Sequence, residues 1–304
     1  MSEINERREA AGFFDTEGDE PMLLTGIPNN EYHADASRLG GSVLEVAKRS
    51  LQEFFELHIA KTMKPKPPGQ PMIWGTRMHD ALLEPDEFWN RNIRLPDTAT
   101  DGKPWNWKSS KHRDERDAFL ADNPGKVLIT EEEEAEVQAV SDAVERNPEA
   151  LQLINAEGRR ECSIFWTDPA TGIRLKCRPD ILTDDNILVD LKTTRNPTPE
   201  AFAKAASDLG YYRKAALYSA GVAKITGEIP KYRWIAVGNT PPYDCYVYEP
   251  PVEELLGVAG QQVAAVLASI VSAVDSDEWI NDDQRRVVPL PMPAWAARKH
   301  FVED

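Results

Sequence analysis

Apolar residues follow two rhythms along this chain. Between Ile173 and Arg178 they alternate with polar ones, the period of a half-buried strand. Elsewhere most recur every three to four positions, as on one face of a helix. The stripe Val43-Leu44, Ala47, Leu51, Phe54-Phe55 and Leu57 predicts a helix opened by Gly41-Ser42. Ile73 to Leu83 predicts a buried helix with Gly75 and His79 one turn apart on a shared face. Thr130 followed by Glu133 is a capping box, so the acidic run Glu131–Glu134 reads as a helix start rather than a metal cluster. That helix is expected to reach about Glu145, with a short one over Pro148–Asn155. Further helices are expected from Thr198-Pro199, from Gly210 to Tyr218, and across 251–275.

The alternating stretch predicts the sheet. Glu161–Trp166 is a strand, Asp168–Gly172 a turn, and Ile173–Arg178 its returning partner. Ile173, Leu175 and Cys177 face one side, while Arg174, Lys176, Arg178 and then Asp180 face the other. Asp184-Asp185-Asn186 is a turn signal before the apolar run Ile187-Leu188-Val189, which implies a second hairpin. Tyr232–Val237 and Asp244–Tyr248 are two more strands, joined across Pro241-Pro242. Strands interspersed with helices make this an α/β chain.

Chemistry concentrates at the second hairpin. Asp190 and Lys192 emerge on one side of a strand whose Val189 and Leu191 point into a core, and Asp180 ends the preceding strand near the same edge. Two carboxylates and an ammonium on rigid backbone are costly unless a cation fills the gap between them. Mg²⁺ or Mn²⁺ fits, since hard ions prefer carboxylate oxygen. The cationic row Arg174, Lys176 and Arg178 could guide a phosphodiester backbone towards Asp180, or could be a solvent-facing strand. The segment 103–113 mixes Trp105 and Trp107 with lysines and an arginine; this suits stacking on nucleic acid and equally an ordinary loop anchored by two indoles.

Composition bounds the rest. With 304 residues the chain can hold one large domain with tails: an acidic disordered arm over 1–22, a body over 23–276, and a proline-rich tail over 277–304. The stretch Val287–Trp295 of that tail is expected to lie extended on the body or on a partner. Three cysteines with no CxxC pair fit a reduced cytoplasmic compartment and cannot supply the four thiolates of an iron–sulfur cluster. Residues 1–20 lack an apolar signal-peptide core, and no run is expected to be long and apolar enough to span a membrane, Val258–Val274 coming nearest. A net charge of −16 argues against a generally DNA-binding surface. It leaves room for a DNA enzyme whose positive charge is confined to a channel. P-loop, GxGxxG and GxSxG motifs are missing from the sequence, so NTP-driven and esterase chemistry have no support.

Taken jointly, Gly75-x-x-x-His79, Glu161-x-Ser163-x-x-Trp166, Arg178-Pro179-Asp180, Asp190-Leu191-Lys192 and a Tyr-bearing helix resemble the RecE (exonuclease VIII)-like phage and prophage exonucleases. These belong to the PD-(D/E)xK nuclease superfamily. The resemblance covers roughly 26–300 and implies a restriction-endonuclease-like core, a central mixed β-sheet flanked by helices. It implies that His79, Glu161, Asp180, Asp190 and the backbone carbonyl of Leu191 surround two Mg²⁺ or Mn²⁺ ions, with Lys192 positioning the attacking water. Tyr218 matches the family's Gln-x-x-x-Tyr helix, but Lys214 stands where that motif has Gln; it could contact a phosphate instead. Gly40-Gly41 stand before Ser42 where the family has adjacent serines. The resemblance further implies 5′→3′ digestion of linear double-stranded DNA from its ends, a homo-oligomeric ring, and delivery of 3′ single strands to a RecT-like annealing recombinase in a bacterial cytoplasm. A repair- or restriction-type nuclease, or a catalytically silent DNA-binding subunit, are the alternatives.

Overall fold

The computed structural model describes residues 3–15, 18–67 and 69–292. In chain order, α1 (Glu3–Ala11), β1 (Met22–Leu24), α2 (Asn29–Ala34), α3 (Gly41–Arg49) and α4 (Leu51–Phe54) come first, α4 running on into a π-helical turn at Phe55–Ile59. The expected 43–57 helix is therefore broken at Ser50, whose side chain accepts from the Glu53 N–H and starts α4. Next are α5 (Gln70–Leu83), α6 (Pro85–Arg91), β2 (Asn92–Arg94), α7 (Ser110–Ala121), β3 (Val127–Ile129), α8 (Glu131–Glu145) and α9 (Pro148–Ile154). The Thr130–Glu133 capping box is formed at the start of α8. The sheet strands follow: β4 (Gly158–Arg160), β5 (Ser163–Thr167), β6 (Arg174–Cys177), β7 (Ile181–Thr183) and β8 (Ile187–Thr194). The chain then forms α10 (Pro199–Asp208), α11 (Tyr211–Thr226), β9 (Lys231–Gly238), β10 (Cys245–Tyr248) and, after a π-helical stretch at Glu254–Ala259, α12 (Gly260–Ser276).

The principal sheet has the order β10-β9-β8-β7-β4. β8 and β9 run parallel, linked by α10 and α11, and the other pairs are antiparallel. This is the mixed sheet expected from the sequence. β8 lies third of five and is buried on both faces, so its residues divide between two cores. Leu188 joins a core with Trp234, Ala236 and the inward face of α11. Val189 and Leu191 join the other, with Ile235, Val237, Met78 of α5 and Val140 of α8. A second sheet, β1-β5-β6, is antiparallel and packs against α11. The chain changes sheets between β6 and β7, and Asp180 sits at that crossing, next to the β7–β8 hairpin.

Several expectations are corrected. The supposedly disordered arm contains α1: Arg8 makes two 2.7 Å hydrogen bonds to the Asp275 carboxylate, and Phe13 and Phe14 are buried in the main core. Two aromatic side chains carry enough apolar surface to order an otherwise polar segment. The segment 103–113, one reading of which is a loop anchored by two indoles, runs into α7, held at its start by Ser109 accepting from the His112 N–H. Glu254–Ser276 is, by length and composition, long and apolar enough to cross a bilayer, contrary to expectation; its Leu255, Ala259, Val266, Leu267 and Ile270 pack into the main core. The tail begins packed on the body, where the Trp279 ring stacks on Phe55 and Asn281 Oδ1 accepts from the Leu51 N–H, but farther on Val287 and Leu290 are 97% and 98% exposed, so that part does not lie on the body. Residues 293–304, including Trp295, lie outside the described residues.

Candidate metal centre

Three local features bring the acidic groups together. Asn186 takes a left-handed backbone (φ 57°) in the β7–β8 turn, which an Asn tolerates, and the hairpin sets Asp180 against Asp190-Leu191 of β8. There the Leu191 N–H donates to Asp180 Oδ2 at 2.6 Å. Gly75 lets α5 lie close on β8, since a Cβ there would stand 3.3 Å from Thr193 Oγ1. One turn on, His79 places Nε2 2.7 Å from Asp180 Oδ2 and Nδ1 3.4 Å from Glu161 Oε1. Glu161 itself lies between β4 and β5 in a left-handed conformation (φ 49°), its N–H donating to the Asp180 carbonyl at 3.1 Å. For a non-glycine residue that conformation costs about 1 kcal/mol, and the surrounding strands hold it.

The ligand atoms of His79, Glu161 and Asp180 all lie within 4.8 Å of one another. Their electrostatics are those of a site short of positive charge. Burial pulls the His79 imidazole down, but the Asp180 charge and hydrogen bond, with Glu161, outweigh it and lift it to about 9. Burial and the neighbouring Asp180 charge push Glu161 up to about 7. Asp180, although buried, is held well below the ordinary carboxylate range by His79 first and then by Lys192 and Lys214. The protonated imidazole thus lies between the two carboxylates, one ring nitrogen facing each, and supplies positive charge that a divalent cation would otherwise bring. One nitrogen and two carboxylate donors of this kind suit a hard or borderline ion such as Mg²⁺ or Mn²⁺.

Asp190 stands apart from this group. It is fully buried, with Oδ2 against the Lys192 ammonium and Oδ1 3.2 Å from Lys214 Nζ. Lys192 Nζ also donates to the Leu191 carbonyl at 3.2 Å. Of the five expected ligands, then, three converge; Asp190 and the Leu191 carbonyl are engaged by ammonium groups. Burial lowers the Lys192 ammonium, against the opposing pull of Asp190. Lys214 and Tyr218 do share a face of α11, with Nζ 4.9 Å from the phenol ring centroid. Tyr211, three residues before Lys214, is a site neighbour that sequence reading missed: Lys192 Nζ lies 5.2 Å above its ring.

The cationic row needs correcting as a route for DNA. Alternation gave its face correctly but not what covers that face, which is the chain around α2. Lys176 is buried and donates to the Tyr32 and Asp35 carbonyls, at 2.5 and 2.6 Å. Arg178 is buried too, bonded to Ser163 Oγ and the Ile27 carbonyl, with its guanidinium 4.1 Å from the Tyr32 ring centroid. Arg174 donates to the Gly12 carbonyl. These groups brace the second sheet against the N-terminal segment.

Comparison with known proteins agrees with this architecture. Residues 53–281 match DUF3799, a PDDEXK-like domain of unknown function. A crystal structure from Eubacterium rectale, described as a candidate exonuclease, aligns with 91% of this chain and 100% of its own. The TM-score is 0.58 and the sequence identity 13%, a likeness of fold. No curated protein matches the sequence.

Proposed function

We propose that this chain, which belongs to the DUF3799 family of PDDEXK-like domains, is a divalent-metal-dependent exodeoxyribonuclease acting on the ends of linear double-stranded DNA. The observation that carries the reading is the His79–Glu161–Asp180 cluster, set beside a buried Asp190–Lys192 pair on a central strand. His79, Glu161 and Asp180 would hold Mg²⁺ or Mn²⁺, which supplies charge neutralisation at the phosphoryl oxygens and a more acidic water. The chain's own groups do the positioning. Asp190 and the Leu191 carbonyl pin the Lys192 ammonium beside β8, where it can donate to the attacking water or to a phosphoryl oxygen. The Leu191 N–H fixes the rotamer of Asp180, so the ligand set is arranged before substrate arrives.

The finer features of the proposal rest on the RecE-like pattern of motifs. They are 5′→3′ polarity, 3′ single-stranded products for an annealing recombinase, and assembly into a homo-oligomeric ring in a bacterial cytoplasm. The Eubacterium rectale protein of like fold is described as a candidate exonuclease, which supports the exonuclease reading. The test is digestion of a duplex labelled at one 5′ or one 3′ end, beside a covalently closed circle, in Mg²⁺. Loss of label from linear DNA, an intact circle, and an inert Lys192→Ala variant are expected. Cleavage of the circle would favour the repair- or restriction-type alternative. DNA retention without nucleotide release would favour a silent binding subunit.

A further inference from the structure

Lys214 is an unusual group to find at such a site. It reaches from α11 to a carboxylate that is already paired, taking Asp190 Oδ1 while Lys192 takes Oδ2. Asp190 is 0% exposed, so an ion could bind it only by expelling one of two ammoniums from a buried pair. The fold makes room for this arrangement. Gly41, at the start of α3, faces the Lys214 stem, and a Cβ there would sit 3.3 Å from Lys214 Cγ. A larger residue at 41 would crowd the lysine, so the missing side chain and the long one fit together.

Charge balance points the same way. Asp180, Asp190 and Glu161 bring three negative charges; Lys192 and Lys214 return two. One divalent ion and one singly charged phosphodiester then make the site neutral. A second divalent ion would leave two positive charges uncompensated in a largely buried place, which is costly at low effective dielectric.

We infer that Lys214 takes the place of a second metal ion, so that this chain holds a single divalent ion on His79, Glu161 and Asp180 and uses Asp190 to seat two ammoniums. The inference rests on the nuclease reading and narrows it. It makes Lys214 a positioning residue: it fixes the Asp190 carboxylate, and through it Lys192.

The test counts ions. Mn²⁺ is titrated into EDTA-stripped full-length protein without DNA, by calorimetry and by electron paramagnetic resonance, for the wild type, Lys214→Gln and Lys214→Met. One uncoupled Mn²⁺ per wild-type chain is expected. In either variant Asp190 Oδ1 is released, and a second Mn²⁺ with a spin-coupled signal should appear. Two coupled ions in the wild type would overturn the inference while leaving a metal nuclease standing, and this outcome needs no folded variant. A single ion in variants that melt as cooperatively as the wild type would also overturn it. No Mn²⁺ binding at all, with no Mg²⁺-dependent nucleotide release, would overturn both.

Discussion

Replacing Glu161 with Gln should separate what this residue does for stability from what it does for chemistry. The Glu161 carboxyl is pushed up to about 7 from an ordinary 4.5. The folded chain therefore holds its proton more tightly than the unfolded chain does. The resulting penalty is absent below pH 4.5, grows as pH rises from 4.5 to 7, and is complete above 7. At about 1.36 kcal/mol per pH unit this is about 3 kcal/mol. The side chain is 26% exposed, so water relieves part of it, and about 1–2 kcal/mol is the effect to expect. Gln cannot ionise. In EDTA at pH 8, Glu161→Gln should therefore be more stable than the wild type by that amount, and the advantage should vanish towards pH 4. Saturating Mn²⁺ should reverse the order: at a hundred times Kd the wild type gains about 2.7 kcal/mol, and a variant short of one ligand gains less. Urea unfolding followed by tryptophan fluorescence measures all three conditions. A variant less stable than the wild type in EDTA at pH 8, or one stabilised as much by Mn²⁺, would refute the reasoning.

His79 holds its proton up to about 9. Mn²⁺ affinity should therefore climb with pH to about that value, with a proton released per ion bound near pH 7.5, read by calorimetry in buffers of different ionisation heat. Affinity flat from pH 6 to 9 would contradict the assignment. Lys176→Met removes a buried ammonium that bonds the Tyr32 and Asp35 carbonyls and should cost about 1–3 kcal/mol in thermal stability. The slope of DNA affinity against salt should be unchanged; a slope smaller by about one would make Lys176 a phosphate contact after all. Gly221→Ala would put a Cβ 2.6 Å from the buried Trp166 ring and should cost about 1–3 kcal/mol by overpacking; a neutral melt would mean that the indole can shift.

The parts of this molecule that local sequence controls are legible in the sequence. The β7–β8 hairpin follows from a turn signal and the short apolar run after it, and the opposed faces of Leu191 and Lys192 follow from the strand period. The α8 capping box follows from two residues three apart. Gly75 and His79 sharing a helix face follows from the helical period, although the strand that this face meets does not. Glu161 was legible only through its place in a spaced set of motifs, because its left-handed backbone is imposed by the strands on either side. What covers a polar face is a tertiary matter, and so the buried fates of Lys176 and Arg178 were misread as open ones. The same holds for α1, whose order depends on a partner, Asp275, at the far end of the chain. Lys214 was noticed as a departure from the family pattern, but its grip on Asp190 needs α11 folded back across the parallel β8–β9 connection.

On the proposed function, the carboxylate between β6 and β7 is the shared anchor of a metal site that hydrolyses DNA. Acid-soluble nucleotide release from linear duplex, measured with and without Mg²⁺ for the wild type and for Asp180→Asn, tests it most directly. Release that requires Mg²⁺ and falls by a factor of at least about 10² in a folded Asp180→Asn protein is the predicted result. Equal release by both proteins, or release that persists in EDTA, would contradict it.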